Sequence, residues 1–281
     1  MKKNAYAEST IEATSKRLKH LSKHCSLNNP ENVKVFIASK QCSNGFKESL
    51  VEAYALYCKT NNIVWDKPFY ERYDKLPKIP SEDKLNMIIA NSSKRMALIL
   101  SIIKDLGLRP IEITWLKVKD IDLDSGVVTI TSAKHCIGRT LKLKPNTLAM
   151  LKNYIVLKKL NVNDRLFPIK SSSISESYRI VRNRLASKLN DVSIKTIRLY
   201  DFRHFKASME YYRTKDLLHV KTLLGHKDIR TTLRYVQLIG FSNDEYTCAV
   251  ARTVDEAKAL IELGFEFVCD IDGVKLFRKR K

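Results

Sequence analysis

The chain has 281 residues, enough for two domains of ordinary size, and 44% of them are hydrophobic, enough to build a sizeable core. No run approaches the roughly 18 apolar residues that a membrane-spanning helix needs, and the first residues lack the apolar stretch of a secretory signal. Six cysteines lie far apart without a CxxC pair, which argues against a zinc site and favours reduced thiols in the cytoplasm.

The charge of the chain is strongly positive and unevenly distributed. Lysine and arginine outnumber aspartate and glutamate by 51 to 30, a formal net charge of +21. Residues 1–75 carry a net of +5, residues 76–235 carry +17 and residues 236–281 carry −1. An excess of this size in the middle of the chain favours a nucleic acid partner over a merely solvated basic surface or a cation-rich thermophilic composition.

The first 75 residues predict a small all-helical domain. Asn29 before Pro30 predicts the start of one helix, and Ser43 predicts the start of another. Two prolines within residues 76–80 interrupt helical periodicity and predict a linker. Before Asn29, apolar residues recur at helical spacing at Ile11, Leu18, Leu21 and Cys25.

Residues 81–240 predict a mixed domain. Helices are expected near 81–91, 93–106 and 110–116, and again from Pro145 to about Gly240 with a loop at 161–173. Between these two helical regions, a three-stranded antiparallel meander is predicted for residues 118–123, 127–131 and 139–144. The fold class is therefore α+β and mainly helical, with a three-stranded antiparallel sheet in the second domain.

Residues 241–281 predict a small α/β appendage. A strand is expected at 246–251, and a helix that ends at Gly264 is expected to follow a capping box formed by Thr253 and Glu256. A hairpin is expected across the turn Asp272-Gly273. The segment lacks the basic excess of the preceding domain, so we expect it to contact a neighbouring protomer or to pack as a self-contained cap.

Three short motifs follow one another in the second domain. They are LGLRPIEI at 106–113, LYDFRH at 199–204 and LLGHKDIRTTLRY at 223–235. Together they resemble the tyrosine recombinase (phage-integrase-like) family, and within it the archaeal integrases. The resemblance extends over about residues 80–235, and the third motif is its most specific part. The helical first domain resembles the DNA-binding domain of that family more loosely.

The resemblance implies a catalytic site and a reaction. The implied catalytic residues are Arg109, Lys134, Tyr200, Arg203, His226 and Tyr235. In the family, the tyrosine attacks a DNA phosphate to give a 3′-phosphotyrosyl link, and a lysine in a hairpin turn protonates the 5′-oxygen leaving group. The partners implied are double-stranded DNA and three further copies of the chain, which form a homo-tetramer on paired sites. Neither a cofactor, a metal nor a small-molecule substrate is implied.

Elementary chemistry explains why these residue types are needed. Two guanidiniums suit the phosphate oxygens because they stay protonated and donate hydrogen bonds from planar forks. The same two cations, Arg109 and Arg203, are expected to lower the pKa of the Tyr235 phenol. Lys134 is the only lysine between residues 130 and 139, which narrows the choice of the hairpin lysine that the resemblance implies. His226 is expected to donate a hydrogen bond to the phosphate.

Tyr200 departs from the family pattern, which has histidine at this position in most members. A tyrosine donates hydrogen bonds, but it cannot shuttle a proton near pH 7. The group that deprotonates Tyr235 is therefore left open. His204 follows Arg203 directly, and we expect it to be structural because successive residues on a helix point in different directions.

Other functions remain open at this point. A type IB topoisomerase-like nicking and closing enzyme would share the arginines, the lysine and the tyrosine. A non-catalytic basic DNA-binding protein would share only the charge. A degenerate integrase would keep the fold and lose activity because tyrosine replaces histidine at position 200.

Overall fold

The structure is a computed structural model, and it describes residues 5–72, 77–133, 137–235, 246–271 and 273–280. The chain divides into two compact units, Met1–Lys75 and Leu76–Lys281, each with its own buried apolar cluster. Lys134 and Asp272 lie outside the described residues. Within the described ranges, no helix is long and apolar enough to cross a membrane.

Residues 5–72 contain three helices whose starts follow from the sequence. They are α1 (Glu8–Ser22), α2 (Pro30–Ser39) and α3 (Asn44–Thr60). The Asn29 side chain accepts hydrogen bonds from the backbone of Glu31 and Asn32, and Ser43 accepts one from Phe46, which confirms both predicted starts. The inward faces bury one apolar cluster, Leu21, Val33, Ile37, Leu50, Val51, Tyr54 and Cys58.

The core of the second unit is built around helix α5. The helices before the hairpin are α4 (Glu82–Ala90), α5 (Lys94–Leu106) and α6 (Pro110–Trp115). Those after it are α7 (Pro145–Lys158), α8 (Ser171–Lys188), α9 (Val192–Thr196), α10 (Asp201–Thr214), α11 (Leu217–Leu224) and α12 (Arg230–Leu233). Helix α5 packs against α4, α7, α8 and α10 and is buried along most of its length, which places α10 beside the core.

The hairpin of the second unit has two strands, β1 (Val127–Ile130) and β2 (Arg139–Lys142), paired antiparallel. The third strand predicted at 118–123 is wrong. Residues Val118–Asp120 form a 3-10 turn instead, and only Ile121 makes an antiparallel bridge to β1. The reason is local, because the Asp120 carboxylate accepts a hydrogen bond from the Lys117 backbone at 2.8 Å and closes the turn.

A three-stranded antiparallel sheet does occur, but in the C-terminal segment. Its elements are β3 (Tyr246–Ala251), α13 (Val254–Glu262), β4 (Glu266–Ile271) and β5 (Val274–Arg280), with strand order β3-β5-β4. Thr253 and Glu256 form the predicted capping box, with each side chain bonded to the backbone of the other residue. The α+β, mainly helical fold class is therefore confirmed, with the three-stranded sheet in this segment.

Two glycines end the helices that approach the site. Gly107 follows α5 and Gly225 follows α11, and both adopt the left-handed conformation, with φ of +63° and +68°. At Gly225 the backbone also comes close to the hairpin. An added Cβ would lie 2.8 Å from the carbonyl oxygen of Ile137 and 3.1 Å from Nη1 of Arg139. Only glycine therefore lets α11 end against β2.

We expect Gly225→Ala to destabilise the second unit more than Gly126→Ala. Both glycines have positive φ, so each substitution carries a backbone cost of about 1–2 kcal/mol. At Gly126 the nearest neighbour is the flexible end of Leu148, whereas at Gly225 it is a backbone carbonyl, which adds about 1–3 kcal/mol. Urea unfolding of the two variants measures the difference, and equal losses of unfolding free energy would contradict the close approach.

Candidate active site

The Arg203 guanidinium lies at the centre of the site and is completely buried. It extends from helix α10 and donates hydrogen bonds to the backbone carbonyls of Gly107 and Leu224, the latter at 2.8 Å. These carbonyls lie at the C-terminal ends of α5 and α11, where helices expose unsatisfied acceptors and partial negative charge. Burial lowers the pKa of Arg203 to about 10, which leaves it protonated at neutral pH.

Arg109, the second predicted arginine, stands at the start of α6. Its side chain is 12% exposed, and its Nη1 donates to Oε1 of Glu112 at 2.9 Å. The Glu112 carboxylate also accepts from the Arg109 backbone N–H at 2.9 Å, and this contact fixes the first turn of the helix. The short spacing Arg-Pro-x-Glu thus holds the arginine in one orientation.

Arg139 is a third arginine of the site, and it is buried; sequence reasoning missed it. It lies on β2, and its Nη2 donates to Oε2 of Glu112 at 3.0 Å. Its Nη1 donates to the Ser132 hydroxyl at 2.8 Å. Burial acts to raise the pKa of Glu112, but Arg139 and the Arg109 backbone outweigh it, so the pKa is lowered. The ionised carboxylate therefore joins the hairpin to the start of α6.

His226 is held between Arg203 and Thr232. Its Nε2 lies 3.2 Å from Nη2 of Arg203, and its Nδ1 lies 2.9 Å from the Thr232 hydroxyl. A guanidinium can only donate, so Nε2 accepts and the ring proton is assigned to Nδ1. Burial, followed by the charges of nearby arginines, lowers the pKa of His226 to about 3, and the ring is neutral.

Tyr235 lies directly after α12 and is only 2% exposed. Its hydroxyl oxygen is 2.9 Å from Nδ1 of His204. The expectation that nearby cations give Tyr235 a lowered pKa is wrong for the DNA-free protein. Arg203, Arg234 and Arg109 do act to lower it, but burial outweighs them and raises the pKa to about 12. The nucleophile predicted from the sequence is therefore a neutral phenol in this state.

His204 is a second site residue that sequence reasoning missed. We expected it to be structural because it follows Arg203, yet its ring is buried and contacts Tyr235. The signal was present in the sequence, since residues four apart share a face of a helix and His204 is four residues after Tyr200. The two rings lie edge to face with centroids 5.0 Å apart. Tyr200 itself is 40% exposed.

Lys134 lies outside the described residues, but Ala133 and Ile137, which flank the segment 134–136, are described. On one side the Ala133 backbone N–H donates to Oε1 of Glu112 at 3.4 Å. On the other side the Ile137 backbone N–H donates to the Gly225 carbonyl at 3.3 Å. The described residues on both sides of Lys134 are therefore bonded to residues of the site.

Comparisons with known proteins identify the family of the chain. The phage integrase family matches residues 80–239, more than half of the chain, and the chain belongs to that family. Tyrosine recombinase XerA of Saccharolobus solfataricus is 32% identical over 153 residues, which cover 54% of this chain and 49% of that protein. A probable integrase/recombinase protein of Methanocaldococcus jannaschii is 32% identical over 161 residues, with the same two coverages.

The chain thus matches about half the length of these two relatives. Among solved structures, the integrase of transposon Tn1549, in complex with transposon right end DNA, is similar with a TM-score of 0.65. That match is 16% identical and covers 92% of this chain and 94% of the integrase. At this identity it establishes the fold, which is that of a tyrosine recombinase.

We expect Glu112→Gln to lower the free energy of unfolding by about 3–5 kcal/mol, because it removes the buried negative charge that pairs with two guanidiniums. Glu176→Gln is the matched control, since Glu176 pairs with Arg179 at the surface, where ion pairs contribute little. Urea unfolding at pH 7 compares them. A loss as small as that of the control would mean that Glu112 does not join α6 to the hairpin.

We also expect stability to fall as pH falls below about 6.5. Unfolded histidines titrate near there, whereas the pKa values of His204 and His226 are lowered to about 4 and about 3 in the folded protein. Between about pH 6.5 and 4 the unfolded state binds more protons, so each histidine removes about 1.4 kcal/mol per pH unit; above 6.5 its contribution is constant. Unfolding free energies measured from pH 7.5 to 5 should fall less steeply in His226→Asn than in wild type. In the control His219→Asn, which changes an exposed histidine, the slope should equal that of wild type. An unchanged slope in His226→Asn would contradict a neutral, half-buried ring.

Proposed function

We propose that this chain is a site-specific DNA recombinase, a strand transferase that cleaves and rejoins DNA through a 3′-phosphotyrosyl intermediate. The observation that carries the proposal is the convergence of distant residues. Arg109, Arg203 and His226 stand close enough for both arginines to shift the pKa of the histidine and of Tyr235. A phosphate held there would meet two guanidiniums and a tyrosine hydroxyl, the groups needed to break a phosphodiester.

The arginines would hold the scissile phosphate. Arg203 now donates to two carbonyls and to a neutral imidazole, and an anionic phosphate oxygen is a stronger acceptor than that imidazole. Displaced from Arg203, His226 can place its proton on Nε2 and donate to the phosphate. The Thr232 hydroxyl supports both tautomers because it accepts from Nδ1 in one and donates to it in the other.

Cleavage then exchanges one phosphodiester for another. The Tyr235 oxygen forms a bond to phosphorus, the bond from phosphorus to the 5′-oxygen breaks, and the leaving oxygen takes a proton from Lys134. Attack by a 5′-hydroxyl of a partner strand reverses these steps and restores the tyrosine. Because the phosphotyrosyl link conserves the bond energy, the reaction calls for neither a nucleotide nor a metal cofactor.

The basic excess of residues 76–235 is suited to duplex DNA, whose phosphates attract clustered lysines and arginines. Residues 1–75 would contact the same duplex as a helical DNA-binding domain, and residues 81–240 would form the catalytic domain. Two such chains on each of two sites would form the homo-tetramer required for strand exchange. The segment 241–281 would contact neighbouring protomers, since it carries a net charge of −1.

We expect Tyr235→Phe to abolish covalent capture of DNA while binding is retained. The phenylalanine ring preserves packing against the apolar cluster around Tyr235 but removes the nucleophilic oxygen. The assay incubates the protein with a library of nicked duplexes of randomised sequence and isolates adducts that survive denaturation. The matched control is Tyr211→Phe, since Tyr211 packs against the same cluster.

The outcomes separate the candidate functions. Adducts with wild type and Tyr211→Phe but not with Tyr235→Phe would support the recombinase. Adducts at random positions, together with relaxation of supercoiled DNA, would favour a topoisomerase-like enzyme. DNA binding without an adduct in any protein, over the whole library, would contradict the proposal in favour of a non-catalytic or degenerate protein.

A further inference from the structure

The site places a histidine, His204, beside the hydroxyl of Tyr235. At position 200, where most members of the family have histidine, this chain has tyrosine. Nδ1 of His204 is 2.9 Å from the Tyr235 hydroxyl oxygen, which is hydrogen-bonding distance. Both side chains are buried, with exposures of 6% and 2%. A buried hydroxyl and a buried ring nitrogen at this distance form a fixed pair that solvent does not disrupt.

Tyr200 cannot accept the proton of the Tyr235 hydroxyl. Its side chain has no basic ring nitrogen that could accept the proton of another phenol. It is also 40% exposed, whereas Tyr235 is buried. His204 lies one helical turn beyond it and on the same face of α10, so the histidine occupies the side of the helix from which a base can reach the nucleophile.

We propose that His204 is the general base of this enzyme, taking the Tyr235 proton on Nδ1 as the tyrosine oxygen attacks the DNA phosphate. This inference rests on the proposed function and names the group that the sequence left open. His204 is a catalytic residue in this account because it touches the reacting oxygen. We assign this role from the position of His204 on α10 and its contact with Tyr235. The position at which the family usually has histidine is occupied here by Tyr200.

The charge state of the pair suits this task. Burial, then the charges of Arg234, Arg198 and Arg203, lowers the pKa of His204 to about 4, so the ring is neutral at pH 7. A neutral imidazole has one nitrogen without a proton, and that nitrogen can accept. In the same surroundings Tyr235 keeps its proton at rest. Transfer is therefore unfavourable until bond formation to phosphorus makes the phenolic oxygen more acidic.

The proton balance closes over a full cycle. In cleavage, the oxygen of Tyr235 gains a bond to phosphorus and loses its proton to Nδ1, while the 5′-oxygen leaves and is protonated by a separate acid. The imidazolium sits beside the phosphate, whose negative charge stabilises it. In rejoining, a DNA 5′-hydroxyl attacks phosphorus and gives its proton back to that acid, while the imidazolium returns its proton to the departing tyrosine oxygen.

The test separates a base from a residue that only positions the tyrosine. In His204→Asn, the carboxamide occupies about the place of Nδ1 and can still hydrogen-bond to Tyr235, but it cannot take a proton. Initial rates of adduct formation are measured in the full chain from pH 6 to 9 on a nicked duplex captured by wild type. A second duplex carries sulfur in place of the scissile 5′-oxygen, so that its leaving group needs no acid.

We expect wild type to react at a nearly constant rate over this range because its base is already neutral. His204→Asn should be about 10²-fold slower at pH 7 on both duplexes, and its rate should rise about tenfold per pH unit as phenolate replaces base catalysis. The matched control, His219→Asn, changes an exposed histidine on α11 and should react like wild type. DNA affinity and melting temperature establish that each variant is folded.

Three results would overturn the proposal. An Asn variant as fast as wild type would leave His204 with a positioning role, and a defect rescued by the sulfur leaving group would make it the acid. A slow variant with a flat pH profile would also exclude a base.

If His204→Asn does not fold, His204→Ala assayed with added imidazole takes its place, and failure of imidazole to restore the rate counts against the base. Absence of an adduct with wild type contradicts the proposed function itself, whereas the other results leave it intact.

Discussion

The buried guanidinium of Arg203 is the constraint on which the rest of the site depends. Desolvating a cation is costly, and here the cost is offset by acceptors at two helix ends, the carbonyls of Gly107 and Leu224. Meeting that requirement fixes where α5 and α11 end relative to α10. The same geometry sets Arg109 two residues after the Gly107 carbonyl and His226 two residues after the Leu224 carbonyl. One buried charge thus brings three distant motifs to a single site.

The burial of this site determines its resting chemistry. Arg203 and Tyr235 are almost completely covered, and both histidines near them are held neutral by desolvation and by the surrounding arginines. In the DNA-free protein the Tyr235 phenol and the imidazole beside it are both neutral. In the proposed reaction, a DNA phosphate must change the contacts of Arg203 before cleavage, which would couple catalysis to binding.

Much of this could be predicted from the sequence where signals are local. The caps at Asn29 and Thr253 and the two arginine motifs depend on residues three or four apart, and these sequence signals gave the right elements. The strand at 118–123 failed because one side-chain hydrogen bond favoured a turn, which apolar alternation does not reveal. The raised pKa of Tyr235 depends on how deeply it is buried, a long-range quantity. His204 was missed because we expected its side chain to point away from that of Arg203, the preceding residue. The relevant neighbour is Tyr200, which lies one helical turn earlier on the same face.

In the proposed reaction, Tyr235, which Arg203 and its neighbours hold in the site, becomes joined to DNA. Mass spectrometry of the trapped adduct tests it most directly, after digestion with nuclease and with trypsin, which cuts after Arg234 and leaves Tyr235 at the start of its peptide. We expect to find a nucleotide attached through its 3′-phosphate to Tyr235. Attachment at any other residue, or through a 5′-phosphate, would contradict it.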